Sequence, residues 1–209
     1  MNDSCSTRVE QLLAMACLTF SLIGCASSPS ATFYLLSPTA VAESETGSAE
    51  QANCIHLRIA PVKFPEYLNR PHIVTRNTEN KLTLADYDRW AEPLSDTFAR
   101  VLAENISRQI CTRKVSLSPG KALQESDYRV EVEVYRMDGS LGKEAVLEAW
   151  WTVSGGAGNT FLRSKRSRFS EPVNENTYGA FVQAQSRILA ALSREIAEAI
   201  KYGSNHGGR

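Results

Sequence analysis

The sequence is poor in most of the features that announce a chemistry. Its 209 residues carry 23 basic and 23 acidic side chains, so neither sign is in excess. A nucleic-acid-binding protein would ordinarily show a basic surplus or stripe. Histidine occurs only at His56, His72 and His206, with no metal-ligand spacing to one another or to cysteine. Five cysteines are too few for a scaffold built on disulfides. No apolar run reaches the ~18 residues of a spanning helix, which excludes a polytopic membrane protein. There is no internal repeat. What is present is a 43% apolar composition, sufficient for a packed core, in a length that suits one domain plus a targeting segment.

The targeting segment comes first. Met1 to Glu10 is polar, with Arg8 as its one cation besides the amino terminus, and is followed by the apolar stretch Leu12 to Gly24. That stretch is short for a spanning helix and right for the apolar part of a signal peptide. It ends in Leu22-Ile23-Gly24-Cys25, which resembles the bacterial lipobox. The resemblance implies a signal peptide over 1–24, cut before Cys25, with a diacylglycerol on the Cys25 thiol and an acyl chain on the new amine. The thiolate is the natural nucleophile for that thioether. One acyl chain holds a membrane only marginally, whereas two or more hold it firmly. Residues 25–31 are small and polar and read as the lipidated tether. Ala26 stands where an aspartate would, by resemblance to enterobacterial sorting, retain the protein at the inner membrane. Ala26 therefore implies the outer membrane, lipid-anchored and facing the periplasm.

Cys5 and Cys17 leave with the signal and Cys25 is consumed by lipid, so Cys54 and Cys111 remain. An even pair in an oxidising compartment predicts a disulfide; two buried free thiols are the alternative. The bond would close a loop of about 57 residues, worth about 4 kcal/mol in the chain-entropy description.

Over 32–203 the pattern predicts a single α+β domain, mainly an antiparallel sheet with two long helices packed on one face. Thr32 to Leu36 reads as a first strand, and 37–53 as a long loop whose composition favours disorder. Cys54 to Val62 alternates, with Ile55, Leu57 and Ile59 facing in and His56 and Arg58 facing solvent. His72 to Arg76 and Lys81 to Leu84 make a hairpin. Pro93 starts a helix over about 92–110, with Asp96 in its first turn and Leu94, Phe98, Val101, Leu102 and Ile106 on one face. Tyr128 to Val134, Glu144 to Ser154 and Thr160 to Phe169 form a meander, with turns at Asp138–Gly142 and Gly155–Asn159. Thr177 to Tyr202 is a helix ended by Gly203, leaving 204–209 as a loose tail.

No catalytic constellation emerges. Ser154 lacks the preceding glycine of a nucleophile elbow, and no Gly-Lys-Ser/Thr follows the glycines after it. Asp86, Asp88 and Glu92 read as capping and surface charge. Arg163, Lys165, Arg166 and Arg168 read as charges protecting an edge strand, with an anionic partner as the alternative.

The combination of motifs is more specific. A lipobox is followed by Phe33-Tyr34-Leu35-Leu36, then by Ile59-Ala60-Pro61-Val62-Lys63-Phe64 and Pro65-Glu66-Tyr67-Leu68-Asn69-Arg70-Pro71, then by Trp90-Ala91-Glu92-Pro93-Leu94 leading into a helix. This resembles the PqiC family, the ABC-type transport auxiliary lipoproteins. The resemblance implies a non-enzymatic outer-membrane lipoprotein of an MCE-type trans-envelope lipid transport system. Its partners would be an MCE-domain (PqiB-like) periplasmic tunnel protein and outer-membrane lipids, and it would form a homo-oligomer. It would need no cofactor beyond the lipid on Cys25. Physically, Pro65 and Pro71 stiffen a loop carrying Tyr67, Leu68 and Arg70, residue types that anchor interfaces. These three are the candidate contacts to a subunit or partner, with a structural turn as the alternative. A rival function, a lone lipid- or small-molecule-binding lipoprotein, would need Trp150 to face a hollow pocket.

Overall fold

The structure, a computed structural model, describes residues 30–39, 54–117, 127–155 and 160–206. The signal peptide, Cys25, most of the tether and of the 37–53 loop, the Gly156–Asn159 part of the second turn and the end of the tail lie outside the described residues.

Eight strands and two long helices follow in the order β1 (Thr32–Tyr34), β2 (Ile55–Ile59), β3 (His72–Thr78), β4 (Lys81–Trp90), α1 (Leu94–Ser107), β5 (Thr112–Ser116), β6 (Tyr128–Ser140), β7 (Glu144–Gly155), β8 (Thr160–Pro172) and α2 (Tyr178–His206). The α+β class is as expected. The sheets are mixed rather than purely antiparallel. Among the described residues there are two sheets, one of three strands in the order β1-β4-β3 and one of five in the order β5-β2-β6-β7-β8. β1 pairs parallel with β4, and β2 pairs parallel with both β5 and β6. Alternation of apolar residues fixes which face of a strand is buried; it carries no information about strand direction.

The meander is where sequence and structure agree most closely. Val130, Val132 and Val134 on β6 and Ala145, Leu147, Ala149, Trp151 and Val153 on β7 are all buried. They face α2, whose Phe181, Leu189, Leu192 and Ile196 are fully buried on one stripe. α1 lies against α2 and presents Phe98, Val101, Leu102 and Ile106 to the same core. Pro93 sits one place before the first helical residue, and its carbonyl accepts from the amides of Asp96 and Thr97. The helix is shorter than the expected 92–110, because at Arg108–Ile110 the hydrogen bonds turn back on Glu104 and Ile106 in a looser final turn.

Two local expectations fail for identifiable reasons. His56 and Arg58, placed on the solvent side, are 4% and 6% exposed. β2 is a central strand with parallel neighbours on both sides, and such strands are covered on both faces. The polar β5, Thr112–Ser116, is one of those neighbours, and its Ser116 Oγ lies 3.0 Å from His56 Nε2. Gly203 does not end α2, which runs on to His206. A Cβ at Gly203 would lie 2.7 Å from Leu162 Cδ1, so glycine there permits close approach of helix and β8. The true backbone role of a glycine is at Gly142, whose φ of 67° makes the β6–β7 turn.

Candidate interaction surface

The stiff loop between Pro65 and Pro71 contains one 3₁₀ turn, Glu66–Leu68. Pro65 stands just before it at φ −64°, and its carbonyl accepts from the Leu68 amide at 2.9 Å. Asn69 then donates to the Glu66 carbonyl at 3.1 Å and Arg70 to the Leu68 carbonyl at 2.9 Å. Just upstream, Phe64 packs edge-on against Phe98 of α1, with ring centres 5.3 Å apart.

This turn separates the three candidate contacts. Leu68 is 3% exposed and belongs to the core, so its placement at an interface is corrected: an apolar side chain on a tight turn over the sheet is taken up by the fold. Tyr67 is half-buried, and its hydroxyl donates to Asp138 Oδ2 at 3.0 Å. Arg70 alone is exposed.

Asp138 organises the region. It was read as a turn residue, but β6 continues past it to Ser140, and its side chain is fully buried. Arg76 of β3 donates through Nε to both carboxylate oxygens at 3.0 Å and through Nη2 at 2.7 Å. Arg136 donates through Nε at 2.7 Å. The Arg76 guanidinium also lies 6.0 Å from the centre of the Tyr67 ring. Ser140 Oγ reaches back to the Arg76 carbonyl. The three-stranded sheet is thereby fastened over one end of the five-stranded sheet. Burial alone would raise the Asp138 carboxyl, but the hydrogen bonds from Arg76 and Arg136 outweigh it and hold the group below the ordinary carboxylate range. Burial, with the neighbouring Asp138 charge, pushes the Tyr67 hydroxyl up to about 12. Arg76, Arg136 and Asp138 carry no sequence signal that would join them, being 62 and two residues apart along the chain.

The remaining candidates are absorbed locally. Asp88 accepts from the Tyr34 hydroxyl at 2.8 Å, and burial followed by that contact pushes Tyr34 up to about 12. Glu92 pairs with Arg100. Trp90, 5% exposed, is seated in the core and its amide donates to the Pro71 carbonyl at 2.7 Å. On the edge strand β8, Arg166 and Arg168 both pair with Glu148 of β7, and Lys165 pairs with Glu195 of α2. Burial opposes the charge on Glu148, yet its two arginines keep its carboxyl low. Three of the four cations are thus paired, with two carboxylates between them. Trp150 is 44% exposed on the open face of the sheet, where its indole donates to Ser164 Oγ at 2.6 Å. It does not face a hollow.

Cys54 and Cys111 are joined in a disulfide with Cα atoms 4.7 Å apart, linking the approaches to β2 and β5. The Ile55 amide donates to the Cys111 carbonyl at 3.0 Å beside it. Among the described residues, no group of three or more His, Cys, Asp or Glu is placed to hold a metal ion, and no helix is long and apolar enough to cross a membrane.

No curated protein matches the chain. Among solved structures, one of an uncharacterised protein superposes with a TM-score of 0.67 at 19% identity, covering 82% of this chain and 99% of that one. Another, protein XCC0632 from Xanthomonas campestris, of the family DUF330, gives 0.66 at 16% identity, covering 83% and 99%. At these identities the likeness concerns the fold. The sequence itself matches a family model described as the ABC-type transport auxiliary lipoprotein component over residues 34–197, which spans both sheets, the Pro65–Pro71 loop and most of α2. The chain belongs to the ABC-type transport auxiliary lipoprotein family.

Proposed function

We propose that this auxiliary lipoprotein is the outer-membrane component of an MCE-type lipid transport system, acting by position rather than by catalysis. In this reading, acyl chains at Cys25 fix the domain beneath the membrane, the Cys54–Cys111 bond stabilises it there, and its surface receives the tip of a periplasmic tunnel formed by an MCE-domain protein. Self-assembly into a homo-oligomer would provide a collar for that tip.

The observation that carries the reading is the family match over 34–197 following a lipobox at Leu22–Cys25. The Pro65–Pro71 loop is consistent with a docking element. It holds Arg70 outward on a turn fixed by backbone hydrogen bonds and by Tyr67 on Asp138. Arginine is among the residues favoured at the centre of interfaces. The lone-binder alternative loses its specific support, since Trp150 lies on an open face.

The test is affinity purification of the acylated protein from membranes. An MCE-domain protein is expected to co-purify, and Arg70→Ala is expected to reduce that recovery while leaving the domain folded. Reproducible absence of any MCE protein would overturn the docking role.

A further inference from the structure

The segment Phe33-Tyr34-Leu35-Leu36, which begins in β1 and runs past its end, splits its apolar side chains between solvent and the core. Leu36 is 2% exposed and Tyr34 half-buried, whereas Phe33 is 62% and Leu35 44% exposed. The exposures alternate along the segment, Phe33 and Leu35 outward and Tyr34 and Leu36 inward, as they do along an extended chain. The inward pair is explained by packing on the core. The outward pair is not. Phe33 lies beside Arg89 of β4 in register, and Tyr87, two residues before Arg89, is 46% exposed. Three large apolar or aromatic side chains thus stand in solvent on and beside β1.

Their place along the chain identifies the occupant. Phe33 follows Cys25 by eight residues, which span at most about 28 Å when fully extended. If Cys25 carries lipid, β1 cannot move further than that from the bilayer. Phenylalanine, leucine and tyrosine are side chains that settle at the boundary between headgroups and acyl chains. We infer that the exposed patch made by Phe33 on β1, Leu35 just after it and Tyr87 on β4 rests on the phospholipid surface in which the protein is anchored. The inference depends on acylation at Cys25 and adds an orientation to it: β1 faces the bilayer and the far end of α2 faces away. Asp86 is exposed close by on β4 and Asp88 lies in register with Thr32, so the contact is with the apolar boundary and zwitterionic headgroups rather than an attraction to anionic lipid.

The molecule supplies a matched control. Tyr34 donates to Asp88, and Tyr178 at the start of α2 feels the charge of Asp88 and Asp86, so α2 begins at the β1 end. Tyr202 is 63% exposed, as open as Phe33, but lies about 36 Å along the helix from Tyr178.

The experiment places the photoreactive p-benzoyl-phenylalanine at Phe33 or at Tyr202 of the full-length protein. The acylated product is reconstituted in vesicles of phosphatidylethanolamine with a minority of phosphatidylglycerol. Intact mass is read before illumination to establish acylation, and after it to find adducts. A phospholipid adduct at position 33, several-fold above that at 202 and unchanged by high salt, is expected. An acylated protein giving a dimer cross-link at 33, or equal lipid adducts at both positions, would overturn the inference while leaving the anchor intact. A protein that is never acylated fails the underlying reading instead. A Leu35→Asp variant offers a second readout: it should fold as before, since the side chain is exposed, and should reduce the position-33 lipid adduct several-fold. An unchanged yield would count against the contact.

Discussion

The two sheets of this domain share an apolar core, and one of them carries a charged fastening as well. The five-stranded sheet lies under α2 through an interface in which the apolar Trp151, Val153, Phe181, Leu189 and Ile196 are fully buried. The three-stranded sheet adds Ile73, Val74, Ala85 and Trp90 to the same core and is tied besides by one carboxylate, Asp138, shared between Arg76, Arg136 and Tyr67. The first attachment is non-directional and indifferent to moderate pH. The charged contact is directional and is weakened when Asp138 takes up a proton. The contrast suggests why a domain would keep a buried charge at all: apolar burial secures the body, while the charged knot sets where the motif loop sits.

Breaking each attachment separately should expose the difference. Trp151→Ala removes the largest fully buried side chain from the helix-facing side and is expected to cost about 4 kcal/mol, read as a lower urea midpoint for the whole domain. Asp138→Ala leaves two arginines facing each other across a buried site and should cost about 3 kcal/mol, the low end for a broken buried pair because both arginines can reach water. Its pH signature separates it from a packing loss. Asp138 titrates below its unfolded value, so its stabilisation is complete above the unfolded pKa near ~3.9 and is lost as pH falls through the folded one. Wild type should therefore lose stability in acid more steeply than Asp138→Asn, and parallel acid curves would contradict the role given to this carboxylate. The smallest effect is Tyr67→Phe, which removes one donor while both arginines remain; about 1 kcal/mol is expected by denaturation, with the fold unchanged by circular dichroism.

What could be read from the residues followed the same divide. The meander and both helices were legible, because Val130, Val132 and Val134, or Phe181, Ile188, Leu192 and Ile196, repeat at the period of their element. Strand direction was not, since a parallel and an antiparallel neighbour bury the same side chains. β5 escapes notice because Thr-Arg-Lys-Val-Ser has neither alternation nor apolar character, and without it β2 reads as a strand with one face in solvent, which leaves His56 and Arg58 exposed on paper. The Pro65–Pro71 loop was visible as a stiff, aromatic segment. Its division into a core residue, a tethered tyrosine and an exposed arginine depends on Asp138, more than 60 residues downstream, which no local pattern marks.

The fixed turn at Glu66–Leu68 bears on how quickly Arg70 could be recognised. Its backbone is already pinned at Leu68, and the ring next to it is moored to a carboxylate beneath. A visiting protein would meet a guanidinium on a platform set in advance, with little chain freedom left to surrender on contact.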